Sequence, residues 1–245
     1  MKEQLYTIPV NEAFDEKTEC PICSMYHSIE EGALDFTLGP SYMEDDVRMV
    51  TDKVGFCERH VAKLYERGNR LGLALMLKTH ADRMLNEVEK KQKNLKVVKK
   101  SSFLKKVPDN GNEVSNYLDE LQTSCFVCSR IDNVFDRYID TMFWLYEKDA
   151  DFREKFKNSK GFCNAHYSLL LKKCTEALGA EEAKSFAGIC SDIYLENMKR
   201  VRDDLSWFID KFDYRYTDEP WKDSKDALQR SMMKDNSIYY KPEGN

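Results

Sequence analysis

The sequence predicts an all-α protein built from two duplicated helical modules, each pinned by a Cys3His metal site, with an extra C-terminal segment. Three observations carry this. Gly (10) and Pro (6) are scarce in 245 residues, which disfavours a many-turned β architecture. Apolar residues recur at steps of three and four along most of the chain, the spacing of a helix face. A set of Cys and His residues occurs twice, about 105 residues apart, and a repeat of that kind marks a duplicated unit.

Composition narrows the function. Formal net charge is −5 with 33% charged residues, which argues against a general nucleic-acid surface. The longest apolar run, 71–77, has seven residues, far below the roughly 20 needed to cross a bilayer. The opening stretch "MKEQLYTIPVNEAFDEKTE" lacks the apolar core and small-residue cleavage site of a secretory signal. The expectation is a cytoplasmic protein with no membrane partner, whose eight cysteines stay reduced.

The first module is expected over 1–92. Cys20 and Cys23 sit in "CPIC", and Cys57 and His60 in "GFCERH" 33 residues on. The second is expected over 113–212, where Cys125 and Cys128 in "CFVC" precede Cys163 and His166 in "GFCNAH" by 34 residues. A CxxC turn brings two sulfurs to one ion, and a CxxH that opens a helix places positions i and i+3 on one face. Cys3His is a usual set for structural zinc. Read along the chain, Cys20, Cys23, Cys57 and His60 bind one ion, and Cys125, Cys128, Cys163 and His166 bind another. Two zinc ions are the expected cofactors. An iron–sulfur cluster stays open, since ligand types alone do not separate it from zinc. Ser24 and Ser129 stand where a c-type haem site needs histidine. Four protein ligands close a site, so catalysis by these residues is not expected.

Of the remaining metal-type residues, His27 could compete as a ligand, but the second module has Asp132 at the matching offset. His80 has no histidine counterpart. Cys174 and Cys190 fall at apolar helical positions and read as core thiols.

Between the metal pairs, Met25, Ile29, Ala33 and Phe36 mark one helix, and Ile131, Val134, Phe135, Tyr138, Met142 and Leu145 its counterpart. Ser41, with Glu44 three residues on, is the expected N-cap of a following short helix. Gly55 and Gly161 break the chain before each CxxH. A helix pair follows each CxxH: Leu77, Ala81, Leu85 and Val88 match Cys190, Tyr194, Met198 and Val201 at a constant offset of 113, with extra residues near "EALGAEEAKS". The linker, 93–112, overlaps a stretch with eight lysines and no acid over 90–106. Without aromatic interleaving, this run gives only a weaker nucleic-acid-binding alternative. The segment 213–245 is not duplicated. It reads as a tail that packs Trp221 and Tyr214, with a competing reading as a polar site of Asp213, Arg215, Lys225, Asp226 and Arg230.

The motifs "CPIC", "GFCERH", "GFCNAH", "KFDYR" and "PWKDSKD" together resemble a bacterial family of unknown function, found mainly in Firmicutes. The resemblance spans nearly the whole chain. Phe126 departs from it, standing where the first module has Pro21. It implies no established activity. The expected role is interaction or regulation with a protein partner; a redox-sensing or iron–sulfur protein or enzyme using the clusters is the alternative.

Overall fold

The computed structural model describes residues 6–93 and 113–240. The expected lysine-rich linker, 93–112, lies outside them apart from Lys93. The protein is all-α. Its helices are α1 (Thr7–Asp15), α2 (Pro21–Leu38), α3 (Asp45–Val54), α4 (Glu58–Glu66), α5 (Arg70–Gln92), α6 (Glu113–Thr123), α7 (Phe126–Lys148), α8 (Ala150–Lys157), α9 (Asn164–Ala177), α10 (Ala180–Asp210) and α11 (Ala227–Asn236). Among the described residues, no helix is long and apolar enough to cross a membrane.

The duplication is visible element by element. The helices α2, α3, α4 and α5 repeat as α7, α8, α9 and α10. The extra residues of the second copy lengthen α9 to 14 residues where α4 has 9. The expected cap at Ser41 is not formed. Pro40–Met43 instead make a 3-10 turn, and α3 begins after Glu44, with Asp45 and Asp46 in its first turn. Proline at the head of that turn fixes φ and starts the tighter coil early. The two acids then complement the helix dipole without a side-chain cap.

The chain packs as two compact units. One comprises Met1–Ile29 and Val134–Asn245; the other is Glu30–Asn133. These units do not follow the sequential modules expected over 1–92 and 113–212. Both boundaries fall inside helices, α2 and α7. Both helices are long: at 1.5 Å per residue, α2 has a length of about 27 Å and α7 of about 35 Å.

In the first unit, Phe156 is the hub of the core, with Phe14, Tyr146, Phe162 and Phe186 around it at ring-centre distances of 5.1–5.8 Å. These rings come from α1, α7, α8, α10 and the GFC turn, so one aromatic cluster holds the metal-pair turn against four helices. Cys174 and Cys190 are buried in this core, as expected. Burial pushes the Cys190 thiol up to about 12, which makes it inert. In the second unit, Leu34, Leu38, Val47, Leu64, Leu73 and Met76 are buried.

The unduplicated C-terminal segment packs in the first unit. Trp221 lies against Phe208 and Phe212, while Tyr214 stays exposed. Lys211 organises the intervening loop, donating hydrogen bonds to the carbonyls of Tyr216, Thr217 and Glu219. The candidate polar site does not assemble. Asp213 pairs with Arg215, whereas Arg230 pairs with Asp204 and Asp226.

Candidate metal centres

All four ligand pairs start a helix. The first helical residue follows Cys20, Cys57, Cys125 and Cys163 directly. The carbonyls of these cysteines accept the first bonds of α2, α4, α7 and α9. Each pair therefore places its first cysteine at the N-cap and its second ligand in the first turn, one helical turn apart on one face. Two helix N-termini meet at each group, and their dipoles favour thiolate.

The lead-in glycine makes this turn possible. Gly55 and Gly161 have φ of 60° and 78°, a left-handed region that favours glycine. At Gly55 space matters too: an added Cβ would stand 2.7 Å from His80 Nε2. His80, unexplained by the sequence, packs against this turn, and its Nδ1 bonds the Asp52 carbonyl at 2.9 Å.

The eight expected residues gather into two quartets, but not with the partners read along the chain. Cys20, Cys23, Cys163 and His166 form one group; Cys57, His60, Cys125 and Cys128 form the other. Each CxxC joins the CxxH of the opposite sequence half. The expected sets, Cys20/Cys23/Cys57/His60 and Cys125/Cys128/Cys163/His166, are corrected accordingly. In the first group, His166 Nδ1 lies 3.4, 3.3 and 3.2 Å from the sulfurs of Cys20, Cys23 and Cys163. The Cys23 and Cys163 sulfurs are 3.6 Å apart. In the second, His60 Nδ1 lies 3.4, 3.4 and 3.3 Å from Cys57, Cys125 and Cys128. The Cys57 and Cys128 sulfurs are 3.9 Å apart.

These distances test the fit of a metal. A tetrahedral ion with sulfurs at about 2.3 Å separates two of them by about 3.8 Å, and separates sulfur from nitrogen by about 3.5 Å. Both quartets have edges close to these lengths. In an iron–sulfur cluster the four ligands are divided among two or four irons, and those on different irons stand farther apart than one such edge.

Different contacts tie each cross-pairing. In the second group, the Phe126 amide donates to the Gly55 carbonyl at 3.0 Å, and Ser124 Oγ donates to the Val54 carbonyl at 2.7 Å. Phe126 thus supplies an N–H that the proline at position 21 lacks. In the first group, α11 makes the tie instead. The buried Lys234 ammonium donates to the carbonyls of Glu19 and Lys160, one residue before Cys20 and three before Cys163. Glu19, also buried, pairs with Arg200 and Lys234. Burial lowers the Lys234 pKa, and Glu19 acts against that.

The surroundings of the two histidines differ. His60 Nε2 lies 3.1 Å from Glu30, which Lys63 holds at 2.6 Å and Arg59 at 3.4 Å. Burial opposes ionisation of Glu30, but hydrogen bonds from His60 and Lys63 together outweigh it and lower its pKa to about 2. Burial likewise opposes charge on His60, yet bonds to Cys125 and Glu30 raise it to about 9. This carboxylate–histidine arrangement fixes the ring so that Nδ1 faces the sulfurs. His166 rests against the Phe135 ring. Its pKa rises to about 10, where burial is overcome by bonds to Cys163 and Cys20. His27 joins neither quartet and stacks on Tyr239.

Fold and site together define an all-α protein with two interleaved Cys3His groups. The chain belongs to a family of unknown function, DUF6062, which it matches over residues 1–242. No curated protein and no solved structure matches it.

Proposed function

We propose that the two quartets bind zinc as structural metals, and that the protein is a cytoplasmic zinc-pinned helical scaffold with an interaction or regulatory role toward a protein partner. The observation that carries this reading is the mutual spacing of four ligand atoms in each quartet, 3.2–3.9 Å over the contacts given above. That spacing suits one tetrahedral ion per group better than a cluster. Four protein ligands leave no open position for substrate, so the metal would contribute folding energy and not Lewis acidity. The residues that would hold the ions are Cys20, Cys23, Cys163 and His166, and Cys57, His60, Cys125 and Cys128.

Elemental analysis with an absorption spectrum of anaerobically purified protein tests the reading. The expected result is two zinc ions per chain and no visible band. Iron with absorption near about 400 nm, from sulfur-to-iron charge transfer, would overturn it.

A further inference from the structure

The two quartets present different atoms to solvent. In the first, Cys20, Cys23 and Cys163 are all buried, and the partly exposed member is His166. In the second the order is reversed. His60 and Cys125 are buried, and the partly exposed members are two cysteines, Cys57 and Cys128. An imidazole edge resists mild oxidants; thiolate sulfur does not.

The unduplicated C-terminal segment reaches the first group. The helix α11 ends at Ser237 in a left-handed turn, φ 59°, and this turn directs the Ser237 hydroxyl onto Cys163 Sγ at 3.1 Å. Tyr239 follows and packs against the core beside the group, stacked on His27 at 4.5 Å. Ser237 and Tyr239 lie beyond the duplicated part of the chain.

We propose that the Cys57–Cys128 pair is a modification site for peroxide-class oxidants, and that the C-terminal segment shields the first group from the same chemistry. The proposal rests on the metal reading above. One thiolate of the pair attacks a peroxide oxygen. The O–O bond breaks, hydroxide leaves and takes up a proton, and a sulfenic acid remains on that cysteine. The second thiolate, 3.9 Å away, attacks the sulfenic sulfur; the S–O bond breaks and hydroxide again leaves as water. Two thiolates, one hydrogen peroxide and two protons give one disulfide and two waters. Losing two of its four ligands, the second group gives up its ion. The first group keeps its three buried sulfurs and its metal.

The test uses full-length, zinc-loaded protein treated with hydrogen peroxide. A chromophoric chelator reports released zinc, and peptide mass spectrometry reports thiol states. One equivalent should leave at least about tenfold faster than the other, together with a Cys57–Cys128 disulfide, while Cys20, Cys23 and Cys163 remain alkylatable after denaturation. A Ser237→Ala/Tyr239→Ala variant should narrow the gap between the two rates. Equal rates in the wild-type protein, earlier oxidation of Cys163, or an unchanged gap in the variant would overturn the proposal alone. Protein that carries no zinc before treatment would overturn the metal reading, and the proposal with it.

Discussion

Cys20 and His166 are 146 residues apart in sequence, yet Cys20 Sγ lies 3.4 Å from His166 Nδ1. With the matching approach of Cys57 to Cys128 across 71 residues, this means that each sequence half supplies ligands to both groups. Loss of one ligand should therefore be felt in the other half's helices. Cys57→Ser should remove one zinc per chain and increase amide exchange at the start of α7, where Cys125 and Cys128 lie, as well as in α4. The α2 amides beside Cys20 and Cys23 should keep their protection. Exchange measured by mass spectrometry checks this. Loosening confined to 1–92 would contradict the interleaving.

Glu30 orients His60 without touching the sulfurs. Glu30→Gln keeps the size of the side chain but removes its charge from a ring that must present Nδ1. Zinc affinity at the second group should fall by about 10- to 100-fold, with the first group unchanged. A chelator competition titration that resolves the two ions measures it. Equal weakening of both would point to general destabilisation.

Lys234 is buried and bridges the approaches to Cys20 and Cys163. Lys234→Met leaves two carbonyls without this donor and Glu19 with one partner fewer. Breaking a buried charged contact of this kind costs about 3–5 kcal/mol. Denaturant unfolding should show a lower midpoint, and zinc should leave the first group faster than in the wild-type chain.

The histidine pKa values set the pH dependence. With His60 raised to about 9 and His166 to about 10, the metal-free fold gains stability that is fully present below the ordinary histidine value near 6.5. This stability is lost as pH rises through 9 to 10. Zinc must displace those same protons. Uptake should therefore release protons, and apparent affinity should climb from pH 6 to pH 9. Titrations in two buffers of different ionisation enthalpy would report the proton count; a pH-independent affinity would contradict this account.

Much of the fold was legible because local chemistry determines it. The stripe through Ile131, Phe135, Tyr138 and Met142 gives α7, and Gly55 and Gly161 announce the turns before each CxxH. That these eight Cys and His residues belong to the site was legible as well, since CxxC and CxxH are short-range signatures, and all eight fall in the two quartets. Their partnership was not. Closing a loop of over 100 residues costs only about 1 kcal/mol more than closing one of 33, so spacing barely favours the nearer partner. What ties the pairing is the Phe126 amide that reaches Gly55, and Lys234 from α11. Only the Pro21/Phe126 difference hinted at this in the sequence, and its meaning depends on which carbonyl lies opposite. The unduplicated tail gave no sign that Ser237 would meet Cys163.

The most direct test of the interleaved pairing is a proton–cadmium correlation spectrum of the protein with both ions exchanged for cadmium-113. Scalar coupling connects each metal only to its own ligands. The structure predicts that the β-protons of Cys20, Cys23 and Cys163 share one cadmium resonance and those of Cys57, Cys125 and Cys128 share the other. Cys57 on the same cadmium as Cys20 and Cys23 would contradict it.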